Sequence, residues 1–115
     1  METNEIKTAA VQADGNDKKS TGIFTYKFAN PFTYEGKTYE ELTFDFGKLS
    51  GRDSTIIENE LRAVGHVVLV ASLDSEYLSR ACARACTVKI GWDTLEAMPI
   101  RDYNAICKAA RNFLT

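Results

Sequence analysis

The residues best suited to chemistry in this sequence are three cysteines and one histidine. Cys82 and Cys86 are four residues apart, so a helix would place both thiols on one face. With His66 or Cys107 they suggest zinc, but the two short Cys/His pairs typical of such sites are absent. A thiol nucleophile would use His66 as its base, and no third group that would orient this base is indicated. We therefore expect core thiols and a structural histidine, with no metal, cofactor or catalytic residue.

The other charged residues indicate solvated surface. Glu40, Glu41 and Asp45 fall mostly on the polar face of a predicted hairpin. Gly47 and Gly51 form neither a Walker motif nor a dinucleotide motif. Four cations are interspersed with acids and make only a weak phosphate site: Arg80, Arg84, Lys89 and Arg101.

Length and composition indicate one small domain. The chain has 115 residues and a net charge of -2, which argues against nucleic acid as the main partner. No apolar run approaches the ~20 residues of a membrane span. Three cysteines are an odd number, which favours reduced thiols and the cytoplasm. Residues 1–20 are mostly small or polar and predict a disordered arm, which leaves residues 22–115 as a single domain.

Two alternating segments predict an N-terminal β-hairpin over about residues 22–46. Phe24, Tyr26 and Phe28 share one face of the first strand. On the second strand Leu42, Phe44 and Phe46 share a face, and the opposite face has Tyr39, Glu41, Thr43 and Asp45. Glu35 and Gly36 supply the turn.

The register of this hairpin follows from the aromatic rows. A regular two-residue loop would pair Phe28 with Thr43 and put the two rows on opposite faces. One extra unpaired residue would pair Phe28 with Phe44 and Tyr26 with Phe46. Pro31 cannot donate to a ladder, so we expect a bulge or wider loop near Asn30 and Pro31.

Helical sequence should cover the hairpin, which predicts an α+β fold with three to four helices packed on it. The first helix is capped by Ser50 or Asp53, ends at Gly65, and has Ile56, Ile57, Leu61 and Val64 at helical spacing. Residues 66–71 favour an extended connection. Asp74 caps a second helix whose stripe is Tyr77, Leu78, Ala81, Cys82 and Ala85, with Arg80 on the surface.

The C-terminal part predicts a short helical turn and a longer amphipathic helix. The turn covers residues 91–98. The last helix begins near Pro99. Its apolar face contains Ile100, Tyr103, Ile106 or Cys107, Ala110, Phe113 and Leu114.

The sequence has more aromatic residues than so small a core buries easily. Leftover aromatic surface is typical of protein interfaces. The candidate partner-binding residues are Trp92, Tyr103, Phe113, Tyr34 and Tyr39.

An ordered set of segments resembles the small tail assembly chaperones of tailed bacteriophages and prophages. The resemblance covers about residues 23–114. Its segments are PFTYEGKTYEEL (31–42), DFGKLSGRD (45–53), SEYL (75–78), ACARA (81–85), MPIRDY (98–103) and NFL (112–114). The chain departs from the family in its polar arm and in the run Val67–Val70, where a proline-containing loop is expected.

The resemblance implies a non-enzymatic function. Such chaperones coat the tape measure protein while the tail tube polymerises around it, and they do not remain in the finished virion. A coat of this kind also implies self-association. The matching positions are interpreted as structural junctions, chiefly helix starts and caps: Gly36, Pro31, Gly51, Arg52, Asp53, Pro99, Arg101 and Asp102.

Two other functions compete with this interpretation. A structural virion component, such as a tail-tube or head–tail joining protein, would favour long loops and a larger sheet. A thiol or metal hydrolase would need one of the cysteines near His66 in an open cleft.

Overall fold

A hairpin and the helices that follow it make up the described part of the chain. The computed structural model describes residues 22–115, and the arm predicted for residues 1–20 lies outside the described residues. Strands β1 (Ile23–Tyr34) and β2 (Lys37–Asp45) form an antiparallel sheet. Helices α1 (Gly51–Ala63), α2 (Ser75–Ala85), α3 (Trp92–Glu96) and α4 (Ile100–Leu114) follow, with 3₁₀ turns at Phe46–Lys48 and Ala71–Leu73. The predicted α+β fold, a hairpin followed by helices, is confirmed.

The turn of the hairpin is the predicted two-residue loop. Both of its residues have positive φ, 50° at Glu35 and 81° at Gly36. Such values at both central positions are those of a type I′ turn, whose twist matches the flanking strands. Close to the turn the pairing is regular, with Thr33 opposite Thr38 and Phe32 opposite Tyr39.

The register farther from the turn differs from the predicted one. The irregularity lies between Lys27 and Phe32, the interval that contains Asn30 and Pro31, as predicted. Its size was predicted wrongly: Phe24 pairs with Phe44, and Tyr26 pairs with Leu42. Residues 28–31 of β1 lie opposite Glu40 alone, so β1 has three extra residues rather than one. Phe46 does not pair with Tyr26, because β2 ends at Asp45 and Phe46 begins a 3₁₀ turn.

The side chains of β2 change face at two consecutive glutamates. Tyr39 was predicted on the outer face, but it packs on the core, with its ring centroid 6.1 Å from that of Phe32. Leu42 and Phe44 are also in the core. In a regular strand they would lie on the face opposite to Tyr39, because they are three and five positions away from it. Both Glu40 and Glu41 are exposed, so the alternation slips by one residue there. This slip brings the aromatic rows of both strands onto one face.

The helices cover this aromatic face as expected, with α2 at the centre of the core. Helix α2 contacts α1, α3, α4 and the hairpin, and its predicted stripe is buried. The segment after α2 also pairs with the sheet, because Thr87 N–H donates to the carbonyl of Thr43 over 2.9 Å. Four residues assigned to apolar stripes are exposed: Val64, Ile100, Phe113 and Leu114. Val64 is 72% exposed because α1 has already ended, and Ile100 is 76% exposed because it opens α4 on its solvent side.

The predicted helix starts are formed by specific caps. Ser50 caps α1 in a capping box with Asp53, whose carboxylate accepts from the backbone N–H of Ser50 over 2.8 Å. Asp74 caps α2 by accepting from the N–H of Tyr77 over 3.0 Å. Pro99 immediately precedes α4, one position earlier than the predicted first turn. These caps fix where each helix leaves the preceding loop.

A buried polar contact ties α4 to the hairpin. The hydroxyl of Tyr26 donates to Oδ1 of Asp102 in the first turn of α4. Asp102 was interpreted as a helix-start residue, and its buried carboxylate also anchors the helix on the strand. Desolvation and the hydrogen bond to Asp102 raise the pKa of Tyr26 to about 12.

We predict that Tyr26→Phe destabilises the fold by about 1–3 kcal/mol at neutral pH, because it removes a donor from a buried carboxylate. The raised pKa of Tyr26 stabilises the fold fully below pH 10, and this contribution is lost as pH rises toward about 12. The wild type should therefore lose stability more steeply than Tyr26→Phe between these pH values. Urea unfolding at neutral and alkaline pH measures both effects.

The matched control for that experiment is Tyr39→Phe. Tyr39 is half-buried on the same hairpin, and its hydroxyl makes no hydrogen bond among residues 22–115. We expect this variant to change stability by less than about 0.5 kcal/mol. Equal losses in the two variants would contradict a specific role for the contact with Asp102.

We predict a second pH effect at Asp74. Burial opposes its ionisation, but hydrogen bonds from His66 and from the N–H of Tyr77 outweigh burial and lower its pKa. This contribution is present above the unfolded pKa of roughly 3.9 and is lost as pH falls through the native pKa. Asp74→Ala should cost about 1 kcal/mol at pH 7, and its difference from wild type should shrink in acid. Tyr77→Phe, which removes a hydrogen bond between the hydroxyls of Tyr77 and Ser54, should cost a similar amount at every acid pH, and parallel acid profiles for both variants would refute the assignment.

Candidate functional site

Of the residues that first suggested chemistry, the three cysteines lie in the core and His66 lies beside the cap of α2. Cys82, Cys86 and Cys107 are buried, free thiols. Hydrogen bonding with Cys107, together with burial, raises the pKa of Cys82, so this thiol keeps its proton at neutral pH. His66 Nε2 lies 2.7 Å from Oδ2 of Asp74 and so contacts the cap of α2. These side chains act as packing and capping groups in this arrangement.

An apolar groove opens between α1 and the end of α4. Its cavity volume is about 190 Å³. Tyr77 and Ala81 of α2 contribute to the lining, as does Ile57 of α1. The remaining lining residues come from the segment before and within α1 and from the C-terminus: Phe46, Leu49, Ser50, Gly51, Asp53, Ser54, Phe113 and Leu114. We call this set the α1–α4 groove.

Contacts on both sides position the walls of the α1–α4 groove. The ring of Phe113 stacks on that of Phe46 with centroids 5.8 Å apart, yet Phe113 remains 40% exposed. On the α1 side, Tyr77 donates from its hydroxyl to Oγ of Ser54 over 2.7 Å. Helix α1 is also fixed to α2 by Arg84, whose Nη2 lies 2.7 Å from Oδ1 of Asp53. The groove is therefore a preformed apolar surface with an aromatic wall.

Among the residues that line the groove, Asp53 carries a charge, and its carboxylate is paired within the fold. Hydrogen bonds from the N–H of Ser50 and from Arg84 lower the pKa of Asp53, so its carboxylate is ionised and already neutralised. Lys48 and Arg52 flank the lining residues Leu49 and Gly51 in sequence, and both are exposed.

Trp92 forms a separate exposed surface and does not line the groove. It is 42% exposed, and the guanidinium carbon of Arg80 lies 4.5 Å from its ring centroid. Arg80 was predicted on the surface, but only 8% of it is exposed. Its cation is offset by Glu76, with Nη1 3.2 Å from Oε1, and more loosely by Glu60 at 3.8 Å. Because the ring of Trp92 covers the guanidinium of Arg80, this charged side chain is buried rather than exposed.

The three candidate tyrosines are engaged within the fold. Tyr34 donates from its hydroxyl to Asp93 over 3.0 Å, which ties the hairpin end to α3. Tyr39 packs on the aromatic face, and Tyr103 donates to the carbonyl of Ser75 over 3.3 Å. Burial raises the pKa of Tyr103 to about 12, with Cys107 contributing. The structure does not bring these tyrosines together with Phe113 and Trp92 in one site.

A second apolar surface lies on the connection between α1 and α2. We call residues 67–73 the apolar connection. As predicted, it is not a continuation of α1, but its apolar side chains point largely to solvent. Leu69 is 89% exposed, and Val67, Val70 and Leu73 are each more than half exposed. Gly65, with φ of 85°, ends α1 and turns the chain into this connection.

Sequence reasoning identified only one wall of the groove. Phe113 was singled out as an exposed aromatic, whereas Leu49, Ile57 and Tyr77 were treated as junction or core residues. The available signal was the Phe113-Leu114 pair at the end of an amphipathic helix, which the hairpin is too narrow to cover. Asp53 lines the groove, while Pro31 and Gly36 lie in the hairpin.

Two other kinds of site are absent from the part of the chain that the structure describes. No group of three or more potential metal-ligating side chains occurs among residues 22–115. In the same range, no helix combines the length and apolar character needed to cross a membrane. No protein-family model, curated protein or solved structure matches the chain.

Proposed function

We propose that this chain is a tail assembly chaperone of a tailed bacteriophage or prophage, which binds the tape measure protein during tail morphogenesis in the bacterial cytoplasm. The proposed role is non-enzymatic. The observation that supports it most is the α1–α4 groove, an apolar surface lined by residues of several elements and walled by the exposed Phe113. The burial of all three thiols supports a binding role over thiol chemistry.

The groove suits the apolar face of an amphipathic helix. Such a helix binds by anchors at positions i, i+3, i+4 and i+7 that enter a hydrophobic groove. A volume of about 190 Å³ accommodates one or two side chains and is smaller than the ~300 Å³ at which small-molecule sites begin. Phe113 and Leu114 can close over an anchor because both are partly exposed at a helix end. We therefore propose that the client presents aliphatic anchors there.

We propose self-association through the apolar connection. This surface is distinct from the groove, because none of residues 67–73 lines the groove. If this surface of one copy binds a different surface of the next copy, the copies form a head-to-tail array. An array of this kind would allow many copies to repeat along a long client. Trp92, outside both surfaces, is proposed as a further contact.

We predict that Phe113→Ala/Leu114→Ala weakens binding to a labelled helical fragment of the tape measure protein. The expected loss is about 2 kcal/mol, or roughly thirtyfold in Kd, because the variant removes the exposed apolar wall of the groove. Fluorescence anisotropy with the purified full chain measures Kd directly.

The control for this experiment is Ile100→Ala, a residue at the opposite end of α4 that is more exposed than Phe113 and does not line the groove. It should bind within about twofold of wild type. Unchanged binding by a folded Phe113→Ala/Leu114→Ala variant would refute the proposed site. Detection of the chain in purified virions would refute the chaperone role in favour of a structural component.

We also predict that the wild-type chain gains mass with concentration, whereas Leu69→Ser/Val70→Ser stays at the 12.8 kDa of a single copy. The substitutions remove apolar surface that is already in solvent, so the fold should be preserved. Light scattering across a concentration series measures the mass, and Val88→Ser, exposed outside this connection, serves as the control. A wild type that remains a single copy at all concentrations would contradict the proposal.

A further inference from the structure

The exposed surface around Trp92 is acidic as well as aromatic. Arg80, which lies under the ring, is flanked by two glutamates, with Nη1 3.2 Å from Oε1 of Glu76 and Nε 3.8 Å from Oε1 of Glu60. About half of each glutamate side chain remains in solvent, and Nε of Arg80 makes no hydrogen bond within residues 22–115. Arg84, one turn farther along α2, is neutralised by a carboxylate of α1 instead. One cation is therefore shared by two acids, and the excess charge at this surface is negative.

Helix α3 adds negative charge beside Trp92. Glu96 follows Trp92 by four residues, which places both on one side of this short helix. Its charge helps to raise the pKa of Tyr103, whose hydroxyl lies 3.3 Å from the carbonyl of Ser75, the residue before Glu76. The charged residues near Trp92 in space or in sequence are four acids and two cations: Glu60, Glu76, Asp93, Glu96, Arg80 and Lys89. We call Trp92, Glu60, Glu76 and Glu96 the Trp92 patch.

The face of α4 that points away from the core is basic. Arg101 and Lys108 are both exposed, and their spacing of seven residues, or two turns, places them on the same side of the helix. Neither forms an ion pair within residues 22–115. The acid of α4, Asp102, is buried and does not offset them. Ile100 is 76% exposed and borders the two cations. We call Ile100, Arg101, Asn104 and Lys108 the α4 solvent face.

These two surfaces are complementary, and every copy of the chain carries both. The Trp92 patch has acids and an exposed indole, whose face attracts a cation. The α4 solvent face has the cations and an exposed aliphatic side chain. The surfaces share no residue, so a contact between them joins one copy to the next and can repeat. The patch also adjoins the apolar connection, since Glu76 follows Leu73 by three residues.

We propose that the Trp92 patch and the adjoining apolar connection of one copy bind the α4 solvent face of the next copy. Arg101 and Lys108 then lie against the acids of the patch, and Ile100 lies against the apolar connection. This contact identifies the surface that receives the apolar connection, and so it rests on the self-association in the proposed function. The groove stays open to the client, because no residue of either surface lines it.

Charge reversal on each surface separately tests the contact. Glu60→Lys/Glu96→Lys makes the patch basic, and Arg101→Glu/Lys108→Glu makes the α4 solvent face acidic. Each variant then brings like charges together, which disfavours the contact. Association should weaken at least about tenfold, so that light scattering gives the 12.8 kDa of a single copy at concentrations where the wild type gains mass. Association of either folded variant at wild-type concentrations would overturn the proposal.

The matched control is Lys27→Glu/Lys37→Glu. It also replaces two exposed cations by acids, but both lie on the hairpin, outside the two proposed surfaces. It should associate as the wild type does. Equal weakening in this control and in Arg101→Glu/Lys108→Glu would show a general effect of net charge and would overturn the specific contact.

Mixing the two charge-reversed variants supplies an independent arm. Each copy in an equimolar mixture meets the other variant with opposite charges at both of its surfaces. The mixture should therefore gain mass at concentrations where each variant alone does not. A mixture of folded variants that stays at the mass of single copies would overturn the proposal. Should the patch variant not fold, Arg101→Glu/Lys108→Glu decides against the hairpin control, because it changes only side chains in solvent.

Client binding separates this inference from the proposed function. All of these variants should bind the helical fragment of the tape measure protein within about twofold of wild type, since the groove is unchanged. Normal association and recovery in the mixture, with no fragment binding by any form, would refute the chaperone function alone. Fragment binding without recovery in the mixture would refute this contact alone. Loss of fragment binding in Arg101→Glu/Lys108→Glu would assign the α4 solvent face to the client and overturn the proposal.

Discussion

The aromatic face of the hairpin is the constraint on which the other elements depend. Tyr39 and Leu42 both pack inward only because β2 changes face at Glu40 and Glu41. In β1 the three extra residues leave the alternation of inward and outward side chains unchanged. The slip places the aromatic rows of both strands on one side, where a two-stranded sheet cannot stay exposed in water. The four helices are then needed to cover this apolar area, which matters more than their own helix propensities.

The position of α4 follows from this face and determines the groove. Tyr26 holds the first turn of α4 through Asp102, and Phe46 holds its last turn through the stacked ring of Phe113. Helix α1 is fixed separately, by its pairing with α2. Because α1 and the end of α4 are anchored to different parts of the core, a gap with an apolar lining remains between them. The same contacts that complete the fold thus leave the surface proposed for the client.

The features that depend on neighbouring residues along the chain, helix caps and helix stripes, were predicted from local sequence patterns. The cap of α1 by Ser50 or Asp53, the cap of α2 by Asp74 and the buried stripe of α2 were predicted from residue type and spacing, and the structure has Ser50 as the first of these caps. The slip at Glu40 and Glu41 was missed because alternation within one strand contains no information about its partner's extra residues. Arg80 was misplaced because Trp92, which shelters it, belongs to a different helix, and spacing within α2 contains no information about that contact. The groove was predicted only at Phe113, since its lining comes from segments far apart in sequence.

The central claim is that the α1–α4 groove is the binding surface for the client. Methyl NMR of the full chain, titrated with the helical fragment of the tape measure protein, tests it most directly. The account predicts that the largest shift changes occur at Leu49, Ile57 and Leu114, with small changes at Leu69. Largest changes at Leu69 and its neighbours, with the groove methyls unmoved by a fragment that binds, would contradict it.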